Sequence, residues 1–357
     1  MFRYLTLIAL ASLTACTHSV SRFYPEIIPQ KSEAVFPVRS DAKNEMNIVY
    51  LGSGNLVLER DGEAIITDPF FSNQKLLKLL GKVKSNPSLY NTWKTNFEYF
   101  LSPSVVQAGF VSHTHYDHVM DLPLLIESHY FKNMDIVYGN NYLPKIMQNF
   151  KEEEVRLTAL TKEHVYDPTT TDQQYEWISV TPSIRVLPIL SDHAPHTKKK
   201  LYMDKPLEEQ YFDEHLIYSN SKTKAFKWST GETYSFLVDF MGTDTLRVFL
   251  QTSASQHPFG FPPSEELNKK GVDLAIVCYA SAPNVDDYPN QLVEFIQPDK
   301  LMFVHWEDFF RTPKSFHDQR LVRSTNPKKV RKRIDRLGKP NDYFIMPMPG
   351  TRIKVKY

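Results

Sequence analysis

The stretch that most constrains this chain is Gly109 to Leu122, which reads Gly-Phe-Val-Ser-His-Thr-His-Tyr-Asp-His-Val-Met-Asp-Leu. Phe110 and Val111 suit the last part of a buried strand, and His113, His115, Asp117 and His118 follow at once, four metal-ligating side chains in six residues. In an extended or tightly turning segment His113 and His115 project to the same side and can grip one cation together. Asp117 and His118 fall just beyond, where a turn can aim them at a neighbouring cation. Imidazoles with a carboxylate suit zinc, iron or manganese rather than the all-oxygen shell of calcium or magnesium. A polar loop bonded only to backbone and water would account for one histidine, but not for three with an aspartate in this order.

The segment His113-Thr114-His115-Tyr116-Asp117-His118 resembles the signature of the metallo-β-lactamase-fold hydrolases, and further stations of that family follow down the chain. The resemblance implies an α+β fold, a four-layer αββα sandwich, with metals at one edge on loops held by rigid strands. It implies His113, His115 and a histidine just past a later strand as ligands of a first metal. Ser191-Asp192-His193-Ala194-Pro195-His196 offers two; His193 fits better, and whichever is not a ligand is expected to touch substrate. Asp117, His118 and His305, the last following the apolar run Lys300 to Val304, are the implied ligands of a second metal. Asp68, in Asp68-Pro69 at the end of Ala64 to Thr67, is implied to orient a ligand histidine by a hydrogen bond rather than to hold metal.

One station departs from the pattern. The family places a bridging aspartate after the strand read at Leu246 to Gln251, and Ser253 stands there. Two dications repel, and a bridging carboxylate offsets part of that repulsion, whereas a serine hydroxyl does little. The expectation is a weakly held second metal or a one-metal site, unless Asp192, His196 or His257 moves in.

A cation at His113, His115 and His193 would bring the pKa of bound water towards ~7 and polarise a carbonyl or phosphoryl oxygen. Asp117 is the expected catalytic residue, orienting the resulting hydroxide or taking its proton. The expected cofactor is Zn2+, as one or two ions, with Mn2+ or Fe2+ as alternatives. Thr114 replaces the glutamate of the diiron oxidoreductase branch, which favours hydrolysis. Tyr116, the long insertions and a lipid tether look similar to the branch that includes N-acyl-phosphatidylethanolamine phospholipase D. A phosphodiester, free or in a lipid, is therefore the first choice of substrate. The alternatives are lactone, ester or β-lactam hydrolysis, and a lipoprotein that binds metal or ligand without turnover.

The first fifteen residues read as a targeting segment: Arg3, then the apolar run Leu5 to Leu13, too short to span a bilayer. Leu13-Thr14-Ala15-Cys16 resembles a bacterial lipobox, so a lipidated Cys16 is expected to anchor the chain to the membrane. Thr17 in place of an aspartate implies the outer membrane, facing the periplasm. Residues 16–45 read as lipidated N-terminus and linker, and 46–357 as the folded domain. The chain has 357 residues, 41% hydrophobic and 23% charged, with a formal net charge of +1, which suits a well-buried core and gives no electrostatic footprint for nucleic acid. Cys278, in the apolar run Leu274 to Cys278, reads as a buried strand residue and not a nucleophile.

Within the domain, short β-like runs at 47–51, 55–60 and 64–67 are separated by Gly52-Ser53-Gly54 and Asp61-Gly62 turns. The long connection 70–107 reads as a helix packed on the sandwich rather than a lid. The insertion 197–232 includes Lys198-Lys199-Lys200, most simply a solvated turn. The basic run Lys328 to Leu337 reads as a surface helix started by Asn326-Pro327 and ended by Gly338, with Val330, Ile334 and Leu337 as its apolar stripe.

Overall fold

Alternating apolar and β-branched runs build two sheets, each made of strands that feed one edge of the molecule. The structure is a computed structural model that describes residues 18–39, 42–75, 82–146, 155–195, 223–224, 228, 230–313, 318–323 and 325–357. In its first half lie β1 (Glu33–Pro37), β2 (Glu45–Gly52), β3 (Asn55–Arg60), β4 (Glu63–Thr67), β5 (Lys82–Val83), β6 (Val106–Phe110), β7 (Ile136–Gly139) and β8 (Arg156–Ala159). The second half holds β9 (Ile178–Thr181), β10 (Ile184–Ser191), β11 (Thr223–Lys224), β12 (Thr233–Phe240), β13 (Leu246–Gln251), β14 (Leu274–Cys278), β15 (Lys300–Val304), β16 (Phe344–Ile345) and β17 (Thr351–Lys356). Eight strands form one sheet in the order β1-β17-β2-β3-β4-β6-β7-β8, and seven form the other in the order β16-β15-β14-β13-β12-β10-β9. A two-stranded ribbon, β5 with β11, stands apart.

The sheets share one core. Phe110 of β6 meets Phe236 of β12 edge to face with ring centroids 5.6 Å apart, and Arg60 reaches from β3 to the Phe240 carbonyl at 2.8 Å. Helices connect the parallel neighbours: α1 (Pro87–Phe100) joins β4 to β6, α2 (Tyr116–Val119) and α3 (Leu122–Glu127) join β6 to β7, and α4 (Leu143–Ile146) joins β7 to β8. In the other sheet α5 (Ser264–Lys269), α6 (Asn290–Ile296) and α7 (Pro327–Arg336) make the crossovers from β13 through β14 and β15 to β16. Parallel crossovers are right-handed, so a series stepping one way across a sheet places its helices on one face. With each sheet's inner face on the shared core, those helices lie outside, and the layers run αββα as expected.

The connection 70–107 carries the expected packed helix. Asn86 caps α1 by accepting the Ser88 N–H at 3.0 Å, and the buried Tyr90, Trp93 and Phe97 stack against Phe71, Tyr130 and Phe131. Asn326 likewise caps α7, which buries Val330 and Ile334 beneath a charged outer face. Cys278 ends β14 in the core, and burial pushes its thiol pKa up, as suits a packing residue. The expected signal peptide 1–15, Cys16 and the lysine run 198–200 lie outside the described residues. Among the described residues no helix is long and apolar enough to cross a membrane.

The expected linker needs correction over its described part. From His18 onward the chain packs on the body: Leu321 N–H donates to the His18 carbonyl at 2.9 Å, and β1 pairs in parallel with β17 along the sheet edge. Tyr24 is fully buried, its hydroxyl 3.0 Å from that of Tyr279. Val20, Tyr24 and the pair Ile27-Ile28 are buried at irregular intervals among polar and proline residues, so the segment shows no periodicity while still closing the core.

Candidate metal centre

The candidate residues sit past the C-terminal ends of strands, with Asp117 and His118 in α2, the short helix that follows β6. Asp68 follows β4, His113 follows β6 and His193 follows β10, while Thr252 and Ser253 follow β13 and His305 follows β15. β4 and β6 are parallel; β10, β13 and β15 also share one direction, because β12 runs against both β10 and β13. The loops after these strands therefore open at one edge of the sandwich, where rigid strands hold them.

Two donor sets form there. His113, His115 and His193 bring their ligand atoms within 4.8 Å of one another, and so do Asp117, His118 and His305. The sets adjoin, with the His113 and His118 ring centroids 3.9 Å apart and those of His118 and His305 5.2 Å apart. In the second set Asp117 Oδ2 lies 3.5 Å from His305 Nε2 and 3.9 Å from His118 Nε2. His196 lies outside the described residues, and His257 is exposed against Phe261 rather than in either set. Asp192 is exposed, and its carboxylate accepts the N–H of His193 at 2.8 Å. Among the described residues, no further carboxylate, cysteine or histidine joins these sets.

The donors fit a divalent cation. His113 is fully buried, and its Nε2 has no hydrogen-bond partner, a costly state for a buried polar atom unless something else satisfies it. Burial first, then the surrounding His118, His115, His193 and His305 imidazoles, push the His113 pKa well below the usual range, so the ring is neutral and its lone pair free for a metal. For Asp117, burial works to raise the pKa, but the His305 hydrogen bond and the nearby imidazoles outweigh it and hold the carboxyl well below the usual carboxylate range. Burial also opposes a charge on His118, and there the Asp68 carboxylate prevails and raises the pKa.

Asp68 lies where the resemblance places it, accepting from His118 Nδ1 at 2.9 Å. Its other oxygen accepts the Ser112 backbone N–H at 2.7 Å. The Ser253 hydroxyl accepts the N–H of Ala194 at 3.2 Å and so steadies the loop of His193.

Several supporting residues carry no sequence motif. Thr230 Oγ1 lies 2.8 Å from His115 Nε2, while its carbonyl accepts the Thr114 N–H at 3.0 Å and the Asn140 amide at 2.8 Å, clamping the loop between the first two histidines. His305 has a left-handed backbone, φ 55°, which costs a non-glycine residue about 1–2 kcal/mol. Its N–H donates to the Tyr50 hydroxyl at 3.0 Å, and that hydroxyl donates to the buried Glu307, which also accepts the Ser53 N–H. The chain positions involved lie far apart in sequence, and only the crossing of β2 with the end of β15 joins them.

No family model matches the sequence, and no curated protein matches it. Among solved structures, the chain is similar to Igni18, a metallo hydrolase from Ignicoccus hospitalis, at 12% identity and TM-score 0.49, covering 88% of this chain and 100% of that one. It is similar to the metallo-β-lactamase fold protein YhfI from Bacillus subtilis at 11% identity and TM-score 0.48, covering 87% and 100%. An isothiocyanate hydrolase from Delia radicum gut bacteria is similar at 11% identity and TM-score 0.46, covering 87% and 100%. At such values the likeness decides nothing about the chemistry of this chain, which has to be read from its own residues.

Proposed function

We propose that this chain is a metal-dependent hydrolase of the metallo-β-lactamase type, acting on a phosphodiester and using zinc, with manganese or iron(II) as the alternative ions. The observation that carries this reading is the convergence of His113, His115 and His193 beside Asp117, His118 and His305, brought from separate strand ends to one edge. A divalent cation bound by these donors supplies Lewis acidity to a substrate oxygen and acidifies water. The residues do the rest. The buried neutral His113 presents a lone pair, Thr230 and the Ser253 contact keep His115 and the His193 loop in place, and Asp68 fixes His118. Asp117, with its pKa held so low, is a weak base, so its part is to hold and orient rather than to remove a proton.

A phosphodiester suits the site because it brings its own anionic oxygens to a pair of cation sites that lack a bridging carboxylate at Ser253. The same serine favours a second reading, a protein that binds metal without turnover. Assays of bis-p-nitrophenyl phosphate, nitrocefin and an acyl-lactone panel, with added zinc or manganese, separate these: phosphodiester cleavage abolished by a chelator is expected. Cleavage of the lactones or nitrocefin alone would move the substrate class, and activity on none with metal bound would favour the binder. Anchoring through a lipidated Cys16 places this hydrolase at a membrane surface, in the outer membrane facing the periplasm; Cys16→Ser should release it to the soluble fraction, and retention would sink the anchor.

A further inference from the structure

We infer that the Ser112 hydroxyl and the Thr252 hydroxyl are positioning residues that tie one ligand from each donor set to a single carboxylate, Asp68. This rests on the proposed metal-dependent function and takes it from the ligands to what selects their tautomers. Five fully or almost fully buried groups meet here, Asp68, Ser112, Thr252, His113 and His118. Asp68 Oδ2 lies 2.8 Å from Ser112 Oγ, 2.8 Å from Thr252 Oγ1 and 2.9 Å from His118 Nδ1. Ser112 Oγ lies in turn 3.0 Å from His113 Nδ1 and 2.8 Å from Thr252 Oγ1.

Proton bookkeeping settles the directions. A carboxylate oxygen only accepts, so His118 carries its proton on Nδ1 and leaves Nε2 for a cation. The Ser112 hydroxyl has one proton and three neighbours within reach; the Thr252 O–H is itself the donor in the Ser112–Thr252 contact, which leaves Asp68 and His113 Nδ1 as the acceptors to choose between. If it donated to His113, the His113 proton would sit on Nε2, a buried atom with no partner. If it donates to Asp68, then His113 donates from Nδ1 to the serine oxygen, and the lone pair of Nε2 faces the other ligand histidines. The second arrangement gives every buried N–H and O–H an acceptor; the first strands a buried N–H. The result is a relay, His113 Nδ1–H to Ser112, Ser112 O–H to Asp68, and His118 Nδ1–H to the same Asp68 oxygen, with the Thr252 O–H shared between that oxygen and Ser112 Oγ.

The location of Thr252 gives this relay its meaning. It stands immediately before Ser253, the position at which the bridging aspartate was expected. The turn after β13 thus joins the two donor sets from behind the ligands, by orienting them, rather than from the front by a shared carboxylate. Neither donor set can be reoriented without disturbing the partners of Asp68, so changes at Ser112 or Thr252 should reach both.

The test reads tautomers and metal affinity separately in the full-length chain. In metal-free protein labelled with 15N-histidine, at a pH alkaline enough that both rings are neutral, His113 and His118 should both show a protonated Nδ1 and an unprotonated Nε2. Ser112→Ala should move His113 to the Nε2–H tautomer and weaken Co2+ binding, read by chelator competition and the visible Co2+ spectrum, by about 10–100-fold. Thr252→Val should weaken it in the same direction, and Thr252→Ser, which keeps the hydroxyl, should restore it in a comparably folded protein. A wild-type His113 protonated on Nε2, or Co2+ affinities equal in Thr252→Val and Thr252→Ser, would overturn the inference. Failure of the metal reading looks different: wild-type protein that binds no Co2+ whatever its histidine tautomers.

Discussion

His113 and His118 are in ring contact, yet their surroundings push their pKa values in opposite directions, and pH can therefore tell them apart. For His113 the unfolded chain takes a proton that the folded chain refuses, so the metal-free protein loses stability as pH falls below about 6.5. For His118 the folded chain holds the proton more tightly; its contribution is complete below about 6.5 and is lost as pH rises through the raised folded value. Guanidinium chloride unfolding of metal-free protein should thus show these two imidazoles giving a maximum near the ordinary histidine range, and His118→Asn should remove the loss on the alkaline side. Stability that climbs steadily on acidification from about pH 6.5 to 5 would contradict the assignment. Ser253 carries a second expectation at this scale. Without a bridging carboxylate, calorimetric titration with zinc should find one tight and one weak ion, and Ser253→Asp should tighten the weak one by about tenfold, on the order of 1.4 kcal/mol. Two equally tight ions in the wild-type chain would argue against a serine deficit.

At the scale of elements, the strand ends matter more than the strands. The two candidate donor sets were legible in the sequence because an imidazole or carboxylate directly after a short apolar run has few other uses, and because His113, His115, Asp117 and His118 follow one another closely. Their supports were not legible. Ser112 and Thr252 are common hydroxyl residues with no spacing rule, and Tyr50 and Glu307 meet only because β2 and the end of β15 come together. The short helix α5 was also missed, since six residues of mixed polarity with Glu265 and Glu266 carry little periodic signal. The Tyr50 support gives a measurable consequence. Tyr50→Phe leaves the His305 N–H and one Glu307 oxygen without their partner in a buried place, and should cost about 1–3 kcal/mol of stability while weakening the metal set that contains His305. Unchanged unfolding midpoints would show that the backbone of His305 is held by something else. In α1, Trp93 packs on Phe71, Phe97 and Tyr130, and Trp93→Ala should cost about 3–5 kcal/mol in the same assay, as a core residue does and a lid residue does not.

Seen as a whole molecule, the two sheets bring loops from both halves of the chain to one edge, and the αββα layering was readable through the resemblance that the histidine motif carries. The segment before β2 was not, because its apolar residues are scattered among polar ones and gain meaning only against β17 and the Tyr279 region. A chain lacking residues 1–38 should accordingly unfold at a clearly lower denaturant concentration than the full chain; an unaltered midpoint would return this segment to the role of a linker. The central claim is that imidazoles and a carboxylate from distant strand ends hold metal at this edge. Anomalous diffraction at the metal edge from crystals grown with zinc or manganese tests it most directly. The account predicts a strong peak among His113, His115 and His193 and a weaker one among Asp117, His118 and His305. An edge with no anomalous peak at saturating metal would contradict it.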